Sequence, residues 1–274
     1  MFKIIIMALL IFIGMVGYDN ITDKAQPTTP VQQEQQKVSK HEKSAAMALF
    51  TSLLPPKEEW PSPVHKFYLA FNMDEVIDPI RQNPNWTGLD AMSRDIPQAL
   101  IAIEDHAFYN HGAIAVEGIL RAALANINAG EVVQGGSTLT QQFVKNVFLS
   151  HEQSMERKIE EAVLSLMLED NYSKDEILEL YLNTTYFGAG STGIKQASRT
   201  YFGQAPSALT LAEAAVIASL PYAPTGLNPL ENPEGCKKRQ LLVLAAMHKY
   251  GMINQGQLAE AKAEKIRLTN GTVM

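Results

Sequence analysis

Apolar side chains recur at a spacing of about three to four residues along most of the chain after Pro97, which is the spacing of amphipathic helices. After Pro97 the apolar positions are Leu100, Ile103 and Ala107. After Met155 they are Ile159, Ala162, Val163 and Leu166. Alternation typical of strands is rare. The pattern therefore predicts a mostly α fold, and residues 63–95 are its least defined part.

Capping boxes mark several of the predicted helix starts, because a hydroxyl or amide side chain stands three residues before Glu or Gln. The pairs are Thr138 with Gln141, Ser173 with Glu176, Thr210 with Glu213, and Asn254 with Gln257. Turns rich in Pro and Asn, such as residues 221–233, separate the helices.

The N-terminus is apolar from Ile4 to about Tyr18 and is preceded by Lys3. A membrane-spanning helix needs about 20 residues, whereas the apolar part of a secretion signal has about 7 to 15. The length fits a signal peptide, but the cleavage site near Gly17 is poorly formed. We therefore expect an uncleaved anchor over residues 1–18 with Lys3 in the cytoplasm, and cleavage is the alternative.

Behind this anchor, residues 19–43 are polar and rich in Pro and Gln, which predicts a flexible linker. The chain has 274 residues and is 46% hydrophobic, so it can bury a full core. We expect one globular domain at 44–268 and a tail at 269–274.

Composition narrows the classes of function. The formal charge of −6 argues against a nucleic-acid-binding protein, so any anionic ligand needs a local cationic cluster. Cys236 is the only cysteine, which excludes an intramolecular disulfide, and the histidines show no zinc-binding spacing.

The stretch QGGSTLTQQFVKN, residues 134–146, places a glycine-rich loop directly before a helix. Backbone N–H groups at such a start can bind an anion, and polar side chains would surround it. Lys145, one turn further along, could reach a phosphate. The nucleotide-binding motif GxxxxGK[ST] is absent from the chain, so a nucleotide is not the first hypothesis.

Glu104 and Asp105 form an adjacent pair of carboxylates in a predicted helix. Leu100 and Phe108 lie one turn to either side of Glu104, so we expect partial burial to raise its pKa, as suits a general base or acid. The alternative is that both carboxylates lie on a solvated helix edge.

A second polar group lies at RKIEE, where Arg157 and Glu161 are four residues apart. We expect them on the helix side opposite Ile159, and a surface ion pair is the alternative. Two carboxylates and a phosphate cradle together suggest glycosyl transfer from a phosphorylated sugar.

The order of these elements resembles the peptidoglycan glycosyltransferases, the family that includes monofunctional transglycosylases and one domain of class A penicillin-binding proteins. Five motifs of the family match in order along 97–233. They are Glu104, Asp105, Phe108 and His111; GGSTLTQQ from Gly135; Arg157, Lys158 and Glu161; ILELYLNTTYFG at 177–188; and AEAAVIASLPYAPTGLNP at 212–229.

This resemblance implies a lysozyme-like helical lobe with a smaller membrane-proximal jaw. The jaw would include the apolar stretch 113–129, for which an ordinary buried helix is the alternative. It implies an inverting polymerase that joins lipid II into β-1,4 glycan and releases undecaprenyl pyrophosphate. Glu104 would be the general base, and Glu161 with Arg157 and Lys145 would organise the pyrophosphate. The implied substrate-binding residues are Asp105, Phe108, His111, Gly136, Ser137, Thr138, Gln141, Gln142, Lys145, Asn146, Arg157, Lys158 and Asn183.

No cofactor is obligatory in this interpretation, and a divalent ion, Mg²⁺ or Mn²⁺, is an option near Glu161. The expected location is the bacterial cytoplasmic membrane, with the domain on its periplasmic side. Lipid II, the lipid-linked glycan, the membrane and other cell-wall synthesis proteins are the expected partners. The motifs S-x-x-K and K-T-G are missing, so we expect no transpeptidase activity.

Two positions depart from the family pattern. Ala113 follows His111 and Gly112 where the family usually places glycine, and Gln153 stands where arginine is common. These departures support an alternative, a catalytically silent scaffold protein. A lysozyme-like lytic enzyme is a further alternative.

Overall fold

The computed structural model describes residues 68–69, 72–120, 127, 135–149 and 154–274. The chain divides into two compact units, Met1–Met73 and Asp74–Met274, and only four residues of the first are described. The predicted anchor and linker lie outside the described residues. Among the helices that are described, none has both the length and the apolar character needed to cross a membrane.

The second unit is mostly helical, as predicted. Its helices, numbered along the described chain, are α1 (Asp74–Arg81), α2 (Asp95–Glu104), α3 (Leu139–Phe148), α4 (Met155–Asn171), α5 (Lys174–Thr184), α6 (Ile194–Phe202), α7 (Leu211–Ser219), α8 (Pro233–Lys249) and α9 (Gln255–Ala263). Residues 116–120 are also helical. Extended pairing in the described residues is limited to isolated antiparallel bridges, Tyr186 with Thr192 and Arg267 with Val273.

The predicted capping boxes are confirmed. Each side chain accepts a hydrogen bond from the backbone N–H three residues on, and the Glu or Gln at that position accepts one in return. The helices begin one residue after these caps, at α3, α5, α7 and α9. Such caps contribute about 1 kcal/mol each, so local sequence determines where these helices start.

Two groups of helices form the core. In the first, α2, α7 and α8 pack against one another, and α7 is buried along almost its whole length. Four of the nine residues of α7 are alanines, and these small side chains allow close packing on two sides. In the second group, α3 packs against α4 and α5. The C-terminus of α2 meets the start of α3, and this junction carries the candidate site.

Candidate active site

Glu104 ends α2 and is partly buried beside α3. Its Oε2 atom accepts a hydrogen bond from Nε2 of Gln142 over 3.0 Å. Burial raises the pKa of Glu104 above its ordinary value, as the sequence predicted, and the charge of Asp105 adds to the rise. The hydrogen bond from Gln142 and the charges of Arg239 and Lys145 oppose it. A carboxyl group with a raised pKa is suited to take up a proton near neutral pH.

Asp105 turns away from the path of α2 because both of its carboxylate oxygens are engaged. Oδ1 is 2.7 Å from Nε2 of His111, and Oδ2 accepts the backbone N–H of Leu139 over 3.0 Å. The other ring nitrogen of His111 lies 2.6 Å from the carbonyl oxygen of Gly112. The hydrogen bond to Asp105 raises the pKa of His111, against the effect of burial. The predicted helix therefore ends at Glu104 and does not continue to Ala107.

The glycine-rich loop before α3 is held from inside the protein. The hydroxyl of Thr138 donates to the carbonyl oxygen of Ala113 over 2.8 Å, and the backbone N–H of Thr138 donates to Oε1 of Gln141. The backbone N–H of Gln141 donates to Oγ1 of Thr138, and the backbone N–H of Leu139 donates to Oδ2 of Asp105. These three backbone N–H groups bind acceptors within the protein in this structure, so the predicted anion site depends on the other groups of the loop. Gly136 is half-buried beside this start.

Cationic side chains lie beside the same loop. Glu161 is 2% exposed and forms an ion pair with Lys158, whose Nζ also donates to Oγ of Ser137 over 3.2 Å. The Nε of Arg157 is buried and has no hydrogen-bond partner among the described residues. A phosphate brought to this position would therefore meet side-chain cations, with Ser137 beside them.

The arrangement of α4 differs from the sequence prediction. Glu161 is buried and pairs with Lys158, so the alternative of a surface ion pair between Arg157 and Glu161 is wrong. Ile159, predicted on the buried side, is 58% exposed. The physical reason is the packing of α3 on α4, which covers the Glu161 face of the helix.

A divalent ion has little protein support at this site. Among the described residues, no group of three or more His, Cys, Asp or Glu side chains could hold a metal ion. Glu161 already has the ammonium of Lys158 as its counter-ion. A divalent ion near Glu161 therefore stays a prediction from the family resemblance.

Some predicted binding residues occupy supporting positions. Phe108 is fully buried, and Nζ of Lys174 lies 4.4 Å from the centre of its ring. The amide of Asn183 accepts from the backbone N–H of Thr87 and donates to its carbonyl oxygen, at 2.8 and 2.9 Å. Because these groups are used within the protein, both side chains stabilise the fold around the site in this structure.

The remaining positions singled out in the sequence lie on the surface, in the interior or outside the described residues. Lys145 and Asn146 are exposed on α3. Gln153 lies outside the described residues. Ala113 is buried, and its carbonyl oxygen accepts the hydroxyl of Thr138. The first two motifs are therefore in contact although Ala113 stands where the family usually has glycine.

Two residues near the site were missed by the sequence interpretation. The hydroxyl of Tyr181 on α5 donates to Oε1 of Gln142 over 3.0 Å. Arg239 on α8 lies with its guanidinium 4.0 Å from the centre of the Tyr222 ring, and its charge acts on Glu104. The available signals were the tyrosine inside ILELYLN and the basic run that ends at Arg239.

Comparison with known proteins identifies the family. A family model described as Transglycosylase matches residues 73–248, which include all the residues of the site described above. A Cupriavidus necator protein that is named as a transglycosylase is 40% identical over 194 residues, covering 71% of this chain and 84% of that protein. The chain belongs to the peptidoglycan transglycosylase family.

Other relatives of this transglycosylase are longer. Penicillin-binding protein 1A of Neisseria flavescens is 44% identical over 185 residues, and penicillin-binding protein 2D of Bacillus subtilis is 44% identical over 181. These matches cover 68% and 66% of this chain but 23% and 26% of the relatives. The solved structure of penicillin-binding protein 1A from Haemophilus influenzae matches with 32% identity and a TM-score of 0.34, covering 48% of this chain and 16% of that one.

Proposed function

We propose that this transglycosylase polymerises lipid II into β-1,4-linked glycan strands and releases undecaprenyl pyrophosphate. The observation that carries the proposal is the environment of Glu104, a partly buried carboxyl group with a raised pKa that one amide donor and two nearby cations keep available as a base. Family membership supplies the substrate class.

In the proposed step, the 4-hydroxyl oxygen of the acceptor sugar attacks C1 of the lipid-linked donor. The hydroxyl proton passes to Glu104, a new C1–O bond forms, and the bond from C1 to the phosphate oxygen breaks with its electron pair on the pyrophosphate. Attack from the opposite face inverts C1, so an α-linked donor gives a β-1,4 link. General-base assistance of this kind contributes about 100- to 10,000-fold.

On the pyrophosphate side, we assign the binding of the leaving group to Arg157, Lys158 and Lys145. The unpartnered Nε of Arg157 supports this assignment, because a buried donor without a partner costs free energy that a phosphate oxygen would recover. Glu161 holds Lys158 against the loop at Ser137. Its proposed role is to position a cation while the negative charge develops.

The apolar segment between the first two motifs fits a substrate with a lipid tail. Among its described apolar residues, Val116, Leu120 and Ile127 are 64%, 60% and 75% exposed, whereas Ala113 is buried. Exposed apolar side chains in one segment favour contact with a membrane surface. We propose that this jaw lies against the outer face of the cytoplasmic membrane.

The test is incubation of the purified chain with labelled lipid II, followed by separation of polymer from monomer. Polymer that disappears with Glu104→Gln and persists with Glu260→Gln, an exposed glutamate on α9, supports the proposal. Digestion of finished peptidoglycan would point to a lytic enzyme. Binding of lipid II without polymer or digestion would point to a scaffold.

A further inference from the structure

The hydroxyl of Tyr181 begins a chain of hydrogen bonds that ends on Glu104. Tyr181 lies on α5 and is 1% exposed. Its hydroxyl donates to Oε1 of Gln142 over 3.0 Å, and Nε2 of the same amide donates to Oε2 of Glu104 over 3.0 Å. One amide side chain on α3 therefore connects α5 with the end of α2.

This chain has a direction. An amide has an acceptor end and a donor end, whereas an ionised carboxylate can only accept hydrogen bonds. With the tyrosine hydroxyl donating to Oε1 of Gln142, the NH₂ group faces Glu104. If the amide were reversed, its carbonyl oxygen would face the carboxylate, and two acceptors would repel each other in a site that is shielded from water.

We propose that Tyr181 is a positioning residue for glycosyl transfer, which turns the amide of Gln142 so that its NH₂ group holds the Glu104 carboxylate ready to accept the proton. The inference rests on the proposed function, and it extends that function to the fourth motif. Tyr181 itself touches neither the substrate nor the reacting atoms.

The other charged groups around Glu104 do not provide this orientation. Asp105 follows it in sequence, Lys145 acts from α3 and Arg239 acts from α8. The charged residue of α7 is Glu213, whose carboxylate caps its own helix. These charges change the pKa of Glu104, but none of them donates a hydrogen bond to Gln142 among the described contacts.

The first test is Tyr181→Phe, which removes the hydroxyl and keeps the ring. Without this donor, Oε1 of Gln142 loses its partner, the amide is held less firmly, and the carboxylate form of Glu104 loses part of its stabilisation. We expect the acidic limb of the kcat/KM profile to move to higher pH. Activity below that limb should fall about threefold to tenfold, with recovery at higher pH.

The matched control is Tyr201→Phe. Tyr201 is also fully buried, and its hydroxyl donates to the carbonyl oxygen of Phe187 over 2.7 Å. Both variants lose one buried hydroxyl contact, so they should lose similar stability. Only Tyr181→Phe should change the pH profile, and the same change in both variants would overturn the inference.

A double-mutant cycle separates positioning from a general loss of packing. In a Gln142→Leu background the amide is absent, so Tyr181→Phe should have almost no further effect on the pH profile. An effect of Tyr181→Phe as large as in the wild-type background would contradict the role of Gln142 as intermediary.

The inference can also be tested without turnover. NMR titration of Glu104 should give a higher pKa in Tyr181→Phe than in the wild type and in Tyr201→Phe. That result, in a protein that forms no polymer from lipid II, would refute the proposed function but retain the positioning of Glu104. Equal pKa values in all three proteins would refute the positioning role.

Discussion

Glu104 and Glu161 are two carboxylates withdrawn from water in one site, and the fold surrounds them with different partners. Glu104 accepts from a neutral amide, while its cations act from α3 and α8. Glu161 is paired directly with the ammonium of Lys158. Burial of Glu104 raises its pKa, so this carboxyl group binds a proton more readily than an ordinary glutamate does. This difference fits the proposed roles, which are proton transfer at Glu104 and placement of a cation at Glu161.

The supports of the two carboxylates also differ. On the Glu104 side, Asp105, His111 and the start of α3 are closed by hydrogen bonds within the protein. On the Glu161 side, Nε of Arg157 is a buried donor that has no partner in the part of the chain that the structure describes. In the proposed function, Glu104 is thus held in place before substrate binds, while a donor on the proposed anion-binding side is left for a ligand.

Glu104→Gln should separate the two roles most strongly. The amide keeps the shape of the side chain but cannot accept the proton, so polymerisation of lipid II should fall about 100- to 10,000-fold. Binding of lipid II should persist, because the cationic side is unchanged. Turnover and binding measured on the same preparation check this, and near-normal turnover would remove Glu104 as the base.

Glu161→Gln should reduce turnover by a smaller factor, about 100-fold, because Lys158 would lose the partner that places it beside the leaving group. The remaining turnover should depend more on added Mg²⁺ than wild-type turnover does. The ion would supply the positive charge that Lys158 no longer holds beside the pyrophosphate. Rates with and without Mg²⁺ for both glutamate variants provide the measurement. If the two variants respond equally to Mg²⁺, the assigned difference between the carboxylates is wrong.

The sequence predicted the local features of the site better than the contacts between residues that are distant in the chain. The capping box of Thr138 and the raised pKa of Glu104 follow from neighbours within a turn or two, and both are confirmed. The bonds from Gln142 to Glu104 and Tyr181 join residues 38 and 39 positions apart, which periodicity cannot reveal. The exposure of Ile159 was missed for the same reason, since helix packing decides which face of α4 is covered.

Replacing His111 should test the pair with Asp105, next to Glu104, through its effect on the free energy of unfolding. Its pKa is raised in the folded protein, so the folded state binds the proton more tightly than the unfolded state. This stabilisation is present below the ordinary value of 6.5 and is lost as the pH rises through the folded-state pKa. His111→Gln should therefore lose more stability at about pH 5.5 than at about pH 8.5. Urea unfolding at both pH values measures the difference, and equal losses would contradict the charged pair with Asp105.

Gln153→Arg should give the smallest effect, and it tests whether residue 153 contributes to the cationic group proposed to bind the pyrophosphate. Residue 153 lies outside the described residues, and its predicted place beside the donor phosphates comes from the family pattern. A glutamine amide offers a phosphate one neutral donor at a time, whereas arginine offers a charged, planar pair. If the side chain faces the pyrophosphate, the variant should bind a donor analogue about fivefold more tightly, which corresponds to about 1 kcal/mol. The gain should be larger at low salt, because mobile ions screen the added charge.

Lys145→Ala should lose more affinity than Gln153→Arg gains, since it removes an exposed cation that already lies on α3. Equal affinities for wild type and Gln153→Arg at two salt concentrations would show that residue 153 is not a phosphate ligand, and the departure at that position would then give no support to a silent scaffold.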